Sequence, residues 1–191
     1  MIENLSNRCI SWLLSQGVIT EDEVTVYRYA AYNVLYAAIP VVMMLIIGIF
    51  IGQPLGSILF IATFILLRKY AGGFHFDSLR LCIIVSLVTE FLFLYLATFI
   101  YQAIVSFILI LVSSLSILKL SPIVHINRPL DTNEIQYCKS KLKKHIVFLV
   151  LFCYCLYIIG YPRLISFPAS AMIMTALVQY PAMLKRKGME K

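Results

Sequence analysis

From Leu81 to Leu118 the chain is nearly continuous hydrocarbon, with Tyr101-Gln102 as its polar break. A helix needs about 20 apolar residues to cross a bilayer. This run is therefore too long for one span and too apolar for a soluble helix. It reads as two spans, 81–101 and 103–118, joined by a tight turn. Four more apolar stretches, at 30–52, 54–67, 146–161 and 164–184, bring the total to six membrane segments. Composition agrees. Of the 191 residues 61% are hydrophobic and 13% charged, against about 25% charged in a soluble domain. A water-soluble monomer and a disordered chain are both excluded. Five cysteines, sparse and odd in number, exclude a disulfide-stapled secreted domain. The predicted fold is all-α: a polytopic helical bundle, 1–191, forming a single integral membrane domain.

Segments 30–52, 81–101 and 164–184 are long enough to span unaided. Ser57 to Leu67 covers only about half of the hydrocarbon core at ~1.5 Å per residue. It crosses only if extended by Gln53–Gly56 and by snorkelling Arg68 and Lys69. With six spans and a cytoplasmic N-terminus, every one of the 16 Lys and Arg residues except Arg163 falls on the cytoplasmic side. That is the positive-inside bias, and it puts both termini in the cytoplasm. The segment 1–28 is charged and lacks the apolar core of a signal peptide. Within it Ile2, Leu5, Cys9, Trp12 and Leu13 recur at three- and four-residue spacing, which predicts an amphipathic helix on the membrane face or against the bundle. The one sizeable hydrophilic connection, 119–145, is a basic cytoplasmic loop. It has an extended Pro-containing part and then a short helix from Asp131 to Lys144, with acids in its first turn and lysines in its last.

One segment is unlike the rest: Arg68-Lys69-Tyr70-Ala71-Gly72-Gly73-Phe74-His75-Phe76-Asp77-Ser78-Leu79-Arg80-Leu81-Cys82. The Gly-Gly pair breaks a helix and lets backbone approach a ligand closely. A thiol becomes nucleophilic beside an imidazolium or arginine, and a histidine can then hand a proton to a leaving amine. Taken by type alone, the same residues also fit a small packing cysteine and a solvated loop histidine. Zinc is disfavoured, because His-x6-Cys lacks paired ligands and Cys153-x-Cys155 directs its thiols about 200° apart on a helix. Glu90, two turns beyond Cys82 inside a span, is either functional or hydrogen-bonded to a neighbouring helix. Asp77 is a candidate orienting acid for His75. No cofactor, metal or nucleic-acid partner is called for.

Arg68-x-x-Ala71-Gly72-Gly73-x-His75 followed by Cys82 closely resembles the signature of the accessory gene regulator B (AgrB) family of bacterial membrane endopeptidases. The size, the apolar character, the basic tail and Pro122-Ile123-Val124-His125-Ile126-Asn127-Arg128-Pro129-Leu130 resemble that family too. The resemblance implies a multi-pass cysteine endopeptidase of the bacterial cell membrane, acting in quorum sensing with its active site facing the cytoplasm. It implies removal of the C-terminal tail of a short AgrD-type propeptide through an acyl-enzyme thioester, and cyclisation to a thiolactone or lactone. It further implies His75 and Cys82 as the catalytic pair, with Arg68, Gly72 and Gly73 as supporting motif positions. Lys139, Lys141, Lys143 and Lys144 are expected either to bind the propeptide tail or to meet anionic membrane lipids. A bundle this small is compatible with a homodimer. The competing class is a non-enzymatic transporter or scaffold, which accounts for composition and spans but not for Gly-Gly-x-His with a Cys seven residues on.

Overall fold

The structure, a computed structural model, describes residues 2–73, 78–100, 102–123 and 130–189. Among them there are seven α-helices and no strand: α1 (Ile2–Ser15), α2 (Val24–Phe50), α3 (Pro54–Ala71), α4 (Leu79–Ala97), α5 (Ala103–Leu120), α6 (Thr132–Ile158) and α7 (Ser166–Met189). Short 3-10 turns at Glu21–Glu23 and Pro162–Ile165 lead into α2 and α7. Five segments are long and apolar enough to cross a membrane: Glu21–Phe50, Pro54–Ala71, Arg80–Ala97, Ala103–Leu120 and Pro162–Met183. The protein is an all-α multi-pass membrane bundle.

Two elements differ from the sequence expectation. The stretch 54–67 is extended to Ala71, because Pro54 starts the helix at N1 and no breaker intervenes before Gly72. Its 18 residues measure about 27 Å, with Arg68 and Lys69 in the last turn. The basic helix 131–144 and the apolar segment 146–161 are one continuous helix, α6. A capping box starts it: the Glu134 N–H donates to Asp131 Oδ1 at 2.6 Å, and the Asp131 N–H to Glu134 Oε2 at 3.1 Å. Between there and Ile158 no glycine or proline stops it. Its charged first half keeps α6 from meeting the apolar criterion along its whole length.

The chain divides into two compact units, Met1–Met43 and Met44–Lys191. In the first, α1 is amphipathic as expected. Ser6 and Ile10 are buried, and Ser6 Oγ donates to the Arg28 carbonyl at 3.3 Å. Leu5, Cys9 and Trp12 are exposed, an arrangement suited to a helix lying in a membrane face.

The second unit is built around α7, the most enclosed helix. Its small residues Ala169, Ser170, Ala171 and Ala176 are all buried, which lets neighbouring backbones come close. Phe167 packs over Gly56 of α3, where a Cβ would strike its ring. Ser170 Oγ donates to the Phe93 carbonyl of α4 at 2.7 Å. Leu67, Ala71, Ile110, Ile117, Leu142, Ile146 and Met172 form one core shared by α3, α5, α6 and α7.

From α3 to α7 the helices alternate in direction, so the C-terminal ends of α3 and α5 meet the N-terminal half of α6. The Ile123 N–H donates to the Ala71 carbonyl at 3.0 Å, and Tyr70 stacks on His145 with ring centroids 5.1 Å apart. This end of the bundle collects Arg68, Lys69, Lys119 and the α6 lysines. Arg163 precedes α7 and belongs to the opposite end.

Candidate active site

The site begins where α3 stops. Gly72 takes φ +70, and its N–H closes back onto the Arg68 carbonyl at 3.2 Å. A left-handed residue at that point is the usual glycine stop of a helix. The arginine then turns on the same residue from its other end: Arg68 Nη1 donates to the Gly72 carbonyl at 2.8 Å. Gly73, at φ +152, lies directly against the Arg68 guanidinium, and any Cβ there would overlap it. A Cβ on Gly72 would come within 2.5 Å of the Ile123 carbonyl oxygen. The Gly-Gly pair is therefore required twice over. One glycine turns the chain against the 121–123 segment, and the other makes room for the arginine.

Cys82 arrives from a different helix. Ser78 is the N-cap of α4, and the Cys82 N–H donates to the Ser78 carbonyl at 3.0 Å, so the cysteine sits in the first turn. It is half-buried. The guanidinium of Arg68 interacts electrostatically with Cys82 and with Glu90. Glu90 is buried on α4, two turns deeper. It therefore shares its electrostatic surroundings with Arg68.

Of the sequence-predicted residues, Arg68, Gly72, Gly73 and Cys82 come together here. His75 and Asp77 lie outside the described residues, as does His125. The four lysines flank the site on α6. Lys139, Lys143 and Lys144 are exposed, while Lys141 reaches over the Tyr137 ring, 5.4 Å from its centroid. Tyr137 in turn meets Tyr70 edge-on at 6.4 Å, two residues before Gly72. Cys153 is buried and Cys155 exposed, on opposite faces of α6.

Residues 6–181 match the family described as accessory gene regulator B (AgrB). The chain belongs to this family. Two curated relatives, both from Clostridium perfringens, carry AgrB-like names. The one from strain SM101 / Type A is 27% identical over 172 residues, covering 86% of this chain and 80% of the relative. The one from strain 13 / Type A is 26% identical over 169 residues, covering 84% and 79%. No solved structure matches. AgrB membership gives the protein a role in accessory gene regulator quorum-sensing processing in the membrane, with an AgrD-type propeptide as partner.

One residue that sequence reasoning missed also touches this site. Gln179 of α7 is fully buried, and its Nε2 donates to the Ala71 carbonyl at 3.2 Å. The available signal was a carboxamide standing alone in an otherwise apolar segment.

Proposed function

We propose that this AgrB-family protein is a cysteine endopeptidase that removes the C-terminal tail of its propeptide at the cytoplasmic membrane face. Cys82 is the nucleophile and His75 the acid–base partner. Sulfur attacks the scissile carbonyl and the C–N bond breaks. The departing amine takes its proton from His75, leaving an acyl-enzyme thioester. A side-chain thiol or hydroxyl of the same peptide then attacks that thioester. Cys82 is released and a thiolactone or lactone ring closes. A thiol transfers the acyl group at little thermodynamic cost, provided water is scarce and the nucleophile is held close.

The single observation that carries this reading is the convergence on Arg68. From α3 it reaches Gly72 and Gly73, and its charge acts on Cys82 at the start of α4. A transporter or scaffold has no use for a cation fixed in a glycine-made recess beside the segment that leads to a cysteine. His75 follows Gly73 by two residues in the sequence. The oxyanion is stabilised by Arg68 or by backbone N–H groups near Gly72-Gly73. The cytoplasmic assignment is supported by the cations gathered at this end of the bundle.

The test is Cys82→Ala co-expressed with the propeptide, products weighed by mass spectrometry. Tail removal is expected to vanish while the variant still accumulates in the membrane. Normal trimming by Cys82→Ala ends the proposal.

A further inference from the structure

Gln179 makes a polar junction that nothing in the mechanism above uses. Its Nε2 donates to the Ala71 carbonyl at 3.2 Å and to Ser121 Oγ at 2.6 Å. The Ala71 carbonyl also accepts the Ile123 N–H, at 3.0 Å. The Ala71–Gly72 peptide unit is thereby held at both edges, its oxygen by Gln179 and Ile123 and its N–H by the Arg68 carbonyl. Gly72's own carbonyl is the acceptor for the Arg68 side chain. One amide in α7 thus bears on the peptide unit next to the one on which the arginine rests, with Gly72 as the pivot between them.

Packing alone does not account for a glutamine at this position. Its Oε1 is buried with no hydrogen-bond partner among the described residues, and an unsatisfied buried acceptor is destabilising. Methionine would fill the same volume without that penalty. If Gln179 were replaced, the Ala71 carbonyl would keep its Ile123 donor, so the helix end would not be orphaned. Stability is therefore nearly indifferent to the amide, whose remaining effect is a third restraint on the Ala71–Gly72 peptide.

We infer that Gln179 is a positioning residue for the reaction. By clamping the Ala71–Gly72 peptide it sets where Arg68 stands relative to Cys82, and through Ser121 it ties that arrangement to the start of the 121–130 segment. The inference rests on the peptidase reading of the same site. Its consequence for Cys82 follows from charge placement alone.

The experiment compares wild type, Gln179→Met, Gln179→Leu and Ser121→Ala in purified full-length protein. Three readouts are followed: propeptide processing, the rate of Cys82 alkylation by iodoacetamide, and the thermal midpoint in detergent. Gln179→Met is expected to lower kcat about ten- to a hundredfold, as small misplacements of catalytic groups do, with KM changed by no more than about twofold. Alkylation of Cys82 is expected to slow several-fold with an unchanged thermal midpoint. Gln179→Leu, which also lacks the donor, should behave alike. Ser121→Ala leaves the Ala71 bond in place and should lose no more than about threefold. Wild-type kcat and alkylation in both Gln179 variants would overturn the inference. So would a loss of activity that tracks a fall in the thermal midpoint, which is the mark of a structural residue. If wild type itself does not process the propeptide, the peptidase reading fails, and the alkylation rates still decide whether Gln179 positions Arg68.

Discussion

Gly73→Ala isolates the central contact of the site. The three atoms nearest to the added methyl all belong to the Arg68 guanidinium group. The methyl cannot be placed unless that side chain leaves. The positive φ adds a backbone penalty of about 1–3 kcal/mol, met in a connecting segment and not in the core. Eviction also breaks the Arg68–Gly72 hydrogen bond, and a bond to a charged group contributes about 1.5–3 kcal/mol. If that hydrogen bond's share of positioning is lost from the transition state, processing falls about ten- to 150-fold. The assay is single-turnover tail removal beside a thermal melt in detergent. Gly160→Ala is the control. Its φ is +93 and nothing lies within 4 Å of the added methyl, so it carries the backbone strain without the collision. It should melt lower by a comparable amount and process normally. The decisive arm is the double variant Arg68→Ala/Gly73→Ala. Because both changes act through one guanidinium, the pair should be no worse than Arg68→Ala alone. Additive losses, or equal losses in Gly160→Ala, would refute the reasoning.

Two further outcomes follow from the same geometry. Iodoacetamide should label half-buried Cys82 several-fold faster than Cys9, although Cys9 is the more exposed thiol, because thiolate character and not exposure controls the rate; peptide mapping of timed samples reads this, and faster labelling of Cys9 would speak against an activated Cys82. Reversing Lys139, Lys141, Lys143 and Lys144 to glutamate should raise the propeptide KM with kcat little changed, if these side chains bind an acidic tail; an unchanged KM would leave them to headgroups and topology.

The fold was legible where hydrophobicity decides it. Apolar runs predicted six membrane segments, of which five recur among the described residues as helices long and apolar enough to span, because hydrophobicity follows transfer free energy along the chain. Boundaries were legible only where a breaker stands. Gly72 ends α3 visibly in the sequence, but the join inside α6 was hidden. The change from lysine to hydrocarbon near His145 looks like an element boundary in hydropathy, yet hydropathy does not interrupt backbone hydrogen bonds. At the site, Arg68, Gly72, Gly73 and Cys82 were legible because one short segment carries them all. What joins them from outside was not. Gln179 is more than a hundred residues from Ala71 in sequence, and only the packing of α7 between α3 and α5 brings the two together. Glu90 was visible as an intramembrane acid, but its partner was not, because pairing across helices depends on rotation about each axis.

The placement of the cations links topology to chemistry. Positive residues resist translocation, which is reason enough for Arg68, Lys69, Lys119 and the α6 lysines to share one end of the bundle. Only one of them is enclosed by glycine, hydrogen-bonded to backbone and charge-coupled to a thiol and a buried carboxylate. A headgroup-snorkelling arginine needs freedom to follow the lipid surface, and Gly73 and the Gly72 carbonyl remove that freedom. Fixing a charge is useful where negative charge develops at a set point, as on sulfur or on a tetrahedral oxygen. The recess at the end of α3 therefore favours chemistry over anchoring for Arg68. The exposed lysines of α6, Lys139, Lys143 and Lys144, carry no such constraint.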